Sequence, residues 1–181
     1  MEILVPDEFK YLYVRNAERP IVKIPDAVLR KQATDVTRIG KKQQELIDEM
    51  LLYMKQANGI GLAAPQVGNL QRIVVVAPPG IRAMALINPK VVKAEGTQVG
   101  QEGCLSIPGL YGDVERALYV EVEAFDRRGR QITLELEGLP ARVAQHEIDH
   151  LDGVLFIDKV DPATLHWMHP DGDADDDDLV E

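Results

Sequence analysis

Gly138-Leu139-Pro140-Ala141-Arg142-Val143-Ala144-Gln145-His146-Glu147-Ile148-Asp149-His150-Leu151-Asp152-Gly153 decides how the rest of the chain is read. Proline suits the first turn of a helix, where its missing N–H has no partner to lose, and glycine suits the residue just past a helix end. Between them Leu139, Val143, His146 and His150 fall at i, i+4, i+7 and i+11, a single stripe on an α-helix. Both histidines therefore share the apolar, core-facing side. Buried imidazoles need partners, and one cation would supply a partner to each.

Histidines four apart lie one above the other, so both rings reach one ion. Glu147 points about a hundred degrees round, where it meets a water beside that ion. This H-E-x-x-H spacing is shared by zinc-type hydrolases, and its plain alternative is two surface histidines on an ordinary helix. A catalytic site needs a third protein ligand. His166 and His169 stand in the Pro- and Asp-rich approach to the C-terminus and read as solvated. The single cysteine sits in Gln101-Glu102-Gly103-Cys104-Leu105-Ser106-Ile107-Pro108-Gly109, whose glycines and proline suggest an irregular loop or edge strand. A free cysteine is commonly inert packing. As thiolate, Cys104 would add a negative charge to two neutral imidazoles, a donor set suiting iron(II), zinc, cobalt or nickel. Spacing alone leaves filler, nucleophile and ligand open.

Upstream, Asp26 is the expected cap of a short helix starting at Ala27. Leu46, Ile47, Met50, Leu51, Met54 and Ala57 repeat at three and four, predicting an amphipathic helix over Lys41 to Ala57 closed by Asn58-Gly59. Arg72 to Val76 and Met84 to Val92, the latter interrupted by Pro89, read as strands. Val114 to Phe125 alternates as one strand, and the turn Asp126-Arg127-Arg128-Gly129 leads into a partner run through Ile132, Leu134 and Leu136. Helices at both ends of antiparallel strands predict an α+β domain.

The 181 residues carry a net charge of −10, but seven of the thirty acidic residues lie between Pro170 and Glu181, leaving 23 acids against 20 basic residues elsewhere. The acidic run reads as a solvated, disordered tail, and nothing resembles the basic face of a nucleic-acid binder. One cysteine rules out an internal disulfide. No apolar run is long enough to span a bilayer, and Met1 to Glu8 lack the pattern of a secretory signal, so a cytoplasmic protein is expected.

Gly59-Ile60-Gly61-Leu62-Ala63-Ala64 matches a dinucleotide fingerprint, yet it follows a helix rather than a strand, and no acidic residue for a ribose hydroxyl occurs between Glu49 and Glu95. What remains is a loop able to pass close to a ligand. Read together, Gly59 to Gly68, Glu102-Gly103-Cys104-Leu105-Ser106 and Gln145-His146-Glu147-Ile148-Asp149-His150-Leu151 resemble, in order and separation, the three motifs of peptide deformylases. The likeness runs from about Ile21 to Val160.

The resemblance implies antiparallel sheets packed around a central metal-binding helix. It also implies removal of the N-formyl group from the formylmethionine of newly made polypeptides by metal-activated water. On that footing Cys104, His146 and His150 hold one divalent ion, with iron(II) favoured over zinc, nickel or cobalt. Glu147 is the general acid/base, and Gln66 with the backbone N–H of Leu105 forms the oxyanion site. Ile60, Gly61, Leu139 and Val143 contact the substrate, and Glu102 orients the loop or Gln66. The rival readings are an H-E-x-x-H zinc endopeptidase, which normally takes a downstream third ligand, and a non-catalytic metal-binding module. The expected organisation is an N-terminal extension over 1–20 without assigned role, a catalytic domain over 21–165 and an acidic tail over 166–181. Bacterial deformylases resembling this chain often end in a basic helix suited to the ribosome. Here Asp161-Pro162-Ala163-Thr164 and acidic residues stand instead, so the resemblance does not carry that docking mode over, and a transient ribosome contact is kept as an expectation.

Overall fold

The computed structural model describes residues 1–169, so the acidic run expected from Pro170 onward lies outside the described residues. In chain order the elements are helix α1 (Lys41–Gln56), strands β1 (Gly61–Ala63), β2 (Ile73–Val76), β3 (Met84–Glu95), β4 (Gln98–Cys104), β5 (Ile107–Arg116), β6 (Tyr119–Phe125) and β7 (Gln131–Glu137), helix α2 (Leu139–Leu151), and β8 (His166–Trp167). Short 3-10 turns join them, including Ala27–Arg30, where the Asp26 carboxylate accepts from Val28 N–H as expected of a cap. The strands form two antiparallel sheets, β1-β2-β3-β6-β7 and β4-β5-β8, which makes the domain α+β.

The β1–β3 part of the larger sheet is covered on both faces, and the β6–β7 end keeps one face in solvent. Residues alternate sides along a strand, so Val74 and Val76 of β2 point one way and Ile73 and Val75 the other. Leu46, Ile47, Met50 and Met54 of α1 pack with Ile73, Val75, Ala85 and Ile87. Ala141, Val143, Ala144 and Leu151 of α2 pack on the opposite face with Val74, Val76, Leu86, Val120 and Val122. Helix α2 is thereby held in the middle of the molecule. The smaller sheet packs Cys104, Ile107, Leu110 and Val114 against Leu155, Phe156 and Val160 just beyond α2.

Three expectations change. The run Val114 to Phe125 is two strands in different sheets. At Ala117 the backbone N–H donates to Gln145 Oε1 at 3.1 Å and the carbonyl accepts from Gln145 Nε2 and Gln98 Nε2, each at 3.0 Å, so side chains replace the ladder there. Strand β3 continues past Pro89 to Glu95. Asn88 takes φ 51° and bonds the backbone of Val36 in both directions, and a bulge removes residues 88 and 89 from pairing with β6, where proline could not donate.

The third change concerns the start of the tail. His166 and Trp167 pair with Tyr111 and Leu110 of β5, so the ordered sheet extends beyond 165. His169, expected in solvent, stacks on Phe9 with ring centroids 4.5 Å apart. The N-terminal residues supply that partner. Asp7–Tyr13 form a 3-10 turn with Phe9 only 2% exposed.

Candidate metal and catalytic site

The site assembles where α2 passes the end of β4. Helix α2 starts with Pro140 in its first turn, and Gly153, two residues past its end, takes φ 71°, both as the punctuation of the sequence demands. The stripe is graded in burial. Leu139 is 45% exposed at the start of the helix, Val143 and His146 are buried, and His150 is 1% exposed. Cys104 closes β4, an edge strand of the smaller sheet, and a register shift between Gly103, opposite Tyr111, and Cys104, opposite Ile107, bends the strand at the cysteine. Its sulfur lies 3.3 Å from His150 Nε2. One ligand atom from each of Cys104, His146 and His150 lies within 4.8 Å of the others, the only such cluster among the described residues.

Glu102, buried two residues before the cysteine, organises this centre. Its Oε2 lies 2.8 Å from His146 Nδ1, which leaves Nε2 as the ring nitrogen available to the Cys104–His150 cluster. Arg116 grips the carboxylate through two bonds of 2.9 Å, Nε to Oε1 and Nη2 to Oε2, and Arg142 Nη1 adds a third at 2.8 Å. Arg116 also pairs with Asp149 on α2, which in turn accepts from Lys159 at 2.9 Å. Burial by itself would raise the carboxyl pKa, but the hydrogen bonds from Arg116 and His146 hold Glu102 well below the usual carboxylate range. Of the two roles expected for Glu102, orienting the loop or Gln66, no hydrogen bond joins it to Gln66 among the described residues, and it bonds His146, Arg116 and Arg142.

The histidines divide in character. Burial opposes charge on His146, but hydrogen bonding to Cys104 and Glu102 outweighs it and raises the ring to about 10. His150 is driven well below its ordinary value by burial and then by the charge on His146. A thiolate and two imidazoles suit a borderline divalent cation, so the residues present fit a metal.

Glu147 is 5% exposed, and its Oε2 has no hydrogen-bond partner among the described residues. Burial pushes this carboxyl up to about 7, with Glu102 adding to the shift and His146 and Arg116 acting against it. Gly61 makes room for it: a Cβ at that position would stand 2.3 Å from Glu147 Oε1. Gln66 is 2% exposed and oriented at both ends of its amide. Its Oε1 accepts from Ala63 N–H at 2.9 Å, and its Nε2 lies 3.2 Å from Ser106 Oγ and 3.5 Å from Cys104 Sγ. The donor end therefore faces the cysteine.

A cleft of about 580 Å³ opens over these groups. Ile60, Gly61, Leu139 and Val143 line it together with Gln66, Cys104, Leu105, His146 and Glu147, while His150 lies buried behind the lining. Phe156 flanks His146, with ring centroids 6.4 Å apart. His166 bonds the Thr164 carbonyl and stays exposed, so no histidine downstream of α2 joins the cluster. The sequence reading missed Arg116, Arg142 and Ser106. No local pattern marks them, because their partners lie 14 to 40 residues away.

The chain is similar to known proteins in sequence and fold. The family model described as polypeptide deformylase matches residues 18–166. A peptide deformylase of Symbiobacterium thermophilum is 49% identical over 157 residues, covering 86% of this chain and 71% of the relative. Among solved structures, a peptide deformylase from Synechococcus elongatus in complex with actinonin superposes with a TM-score of 0.77 at 44% identity, covering 82% of this chain and 84% of the other. The peptide deformylase of Thermotoga maritima gives a TM-score of 0.76 at 43% identity, with coverages of 78% and 97%.

Proposed function

This chain belongs to the peptide deformylase family and hydrolyses the N-formyl group of new polypeptides, and we propose that Cys104, His146 and His150 hold its catalytic cation while Glu147 moves the protons. The observation that carries this reading is the convergence of three ligand atoms within 4.8 Å, with a buried, unpartnered carboxylate on the adjacent helix position.

Cys104, His146 and His150 would hold a divalent cation, which would supply a lowered pKa for water and Lewis acidity toward the formyl oxygen. Iron(II) is our assignment, with zinc, nickel and cobalt as substitutes, since one thiolate and two imidazoles suit any of these borderline ions. A carboxylate raised to about 7 by burial is a base matched to neutral pH, so Glu147 takes the proton from the attacking water. As the formyl oxygen gains negative charge, Gln66 Nε2–H and the Leu105 N–H donate to it. Glu147 then returns its proton to the amide nitrogen, the C–N bond breaks, and formate and a free N-terminal amine result.

Ile60, Leu139 and Val143 form an apolar wall for the methionine side chain, with Gly61 giving the substrate backbone close passage. Gly61 against Glu147, and Gln66 against Cys104, leave little space beside the formyl carbon, which bears only hydrogen; an acetyl methyl group is excluded on size. No helix among the described residues is long and apolar enough to cross a membrane. Our reading places the enzyme in the cytoplasm, meeting its substrates and transiently the ribosome where formylated N-termini emerge.

The test is formate release from formyl-Met-Ala-Ser by anaerobically prepared protein, with its metal content measured in parallel. Turnover that follows bound iron(II) and disappears on chelation supports the assignment. Equal turnover after complete metal removal contradicts it.

A further inference from the structure

We propose that the N-terminal turn Asp7–Tyr13 is a wall of the substrate cleft, and that Leu12 is a specificity-determining residue for the part of the peptide that follows formylmethionine. The proposal rests on the deformylase reading. The family model begins at residue 18, so this turn lies outside the matched domain. Leu12 nevertheless lines the same cleft as Glu147, Cys104 and Gln66.

The turn is fastened at three points. Phe9 is buried, with ring centroids 5.0 Å from Trp167 and 4.5 Å from His169. Gly109, at φ +86°, admits that ring, since a Cβ there would stand 2.6 Å from Phe9 Cδ1. Tyr13 Oη donates to the Pro108 carbonyl at 3.1 Å. Half-buried Leu12 is thus held beside Pro108 and Gly109, which also line the cleft. The unmatched segment is built into the domain rather than appended to it.

Position along the cleft assigns the role. The formyl carbon must sit at the Cys104–His146–His150 cluster, and the methionine side chain against Ile60, Leu139 and Val143. Pro108 and Gly109 follow Ile107, the residue paired with Cys104, and lead along β5 away from the cluster. The substrate chain beyond methionine must leave through the remaining cleft, where Leu12 offers it an apolar contact. Peptides with apolar side chains at the second and third residues gain from that contact. Formyl-Met amide, which has no such residues, gains nothing.

The experiment compares iron(II)-loaded full-length protein, Leu12→Ala and Leu12→Glu on formyl-Met amide and formyl-Met-Leu-Leu. Melting temperatures verify the fold, and Tyr13→Phe, which frees the turn from Pro108, serves as a second perturbation if Leu12→Glu unfolds. Leu12→Ala is expected to lower kcat/KM for the tripeptide about five- to tenfold through KM, and for the amide by about twofold at most, with a larger gap for Leu12→Glu. Equal effects on both substrates, or none on the tripeptide, overturn the proposal. If the parent protein releases no formate from either substrate, the deformylase reading itself fails. Calorimetric binding of Met-Leu-Leu then judges Leu12 alone: weakening by about five- to tenfold in Leu12→Ala supports it, and unchanged binding overturns it.

Discussion

Glu102 Oε2 lies 2.8 Å from His146 Nδ1, so the carboxylate two residues before Cys104 fixes which nitrogen of His146 is left to face Cys104 and His150. The same carboxylate pairs with Arg116 and Arg142 in a buried cluster. Removing its charge leaves Arg142 without its carboxylate and Arg116 with Asp149 alone. Glu102→Gln is expected to cost about 3–5 kcal/mol of stability at pH 7, measured by urea unfolding. The folded-state pKa of Glu102 is depressed, so its contribution is complete above the ordinary carboxyl value of 4.5 and is lost as pH falls below it. The gap between the two proteins should therefore narrow on acidification below about pH 4.5. A gap that stays constant down to pH 3 would contradict this linkage.

Gly61 faces Glu147 so closely that a Cβ would fall 2.3 Å from Oε1. Gly61→Ala must push the carboxylate from its place, and a displacement near 1 Å costs about 10²-fold in rate. Turnover should fall by that order while metal content stays at the parent level. Full activity in Gly61→Ala would mean that Glu147 has freedom the packing denies.

Gln66→Leu removes the amide donor near Cys104 and leaves the Ala63 N–H without its partner. Loss of one oxyanion donor should lower kcat by about 10²- to 10³-fold with a smaller change in KM. The orphaned N–H should cost a further 1–3 kcal/mol or so of stability. A purely structural role for Gln66 predicts the second effect without the first, and steady-state kinetics beside thermal unfolding separates the two.

Glu147 must be ionised to accept a proton, so kcat/KM should rise with pH along an acid limb. Burial sets this carboxyl at about 7, and a neighbouring cation favours its ionised form, so the midpoint should lie at or below about 7. Glu147→Gln should lose most turnover and abolish the limb while keeping the metal. A limb that survives in Glu147→Gln belongs to another group.

Helix α2 was readable residue by residue because its signals are local. Pro140 and Gly153 mark its ends, and the apolar stripe carries both histidines. Helix α1 and the β6–β7 hairpin follow from the same kind of short-range pattern. The break at Ala117 was not readable. Val114, Arg116, Val120 and Val122 keep the same two-residue phase across it, and the Gln145 side chain that interrupts the ladder comes from another element. Strand β4 is masked by Gly100 and Gly103, which leave space for Arg142 and the Tyr111 ring. The grip of Arg116 and Arg142 on Glu102 depends on sequence separations of 14 and 40, and docking of the first residues depends on Phe9 meeting Trp167 and His169. Ligand types, their order and the helix that carries two of them are local facts. The shell that orients them is tertiary.

The central claim is that one thiolate and two imidazoles share a single cation. X-ray absorption of the cobalt-substituted protein tests it most directly. One cobalt per chain is predicted, with one sulfur and two imidazole nitrogens in its coordination sphere, and with the sulfur signal lost in Cys104→Ser. A bound cobalt with no sulfur neighbour in the parent protein, or a sulfur signal that persists in Cys104→Ser, would contradict the account.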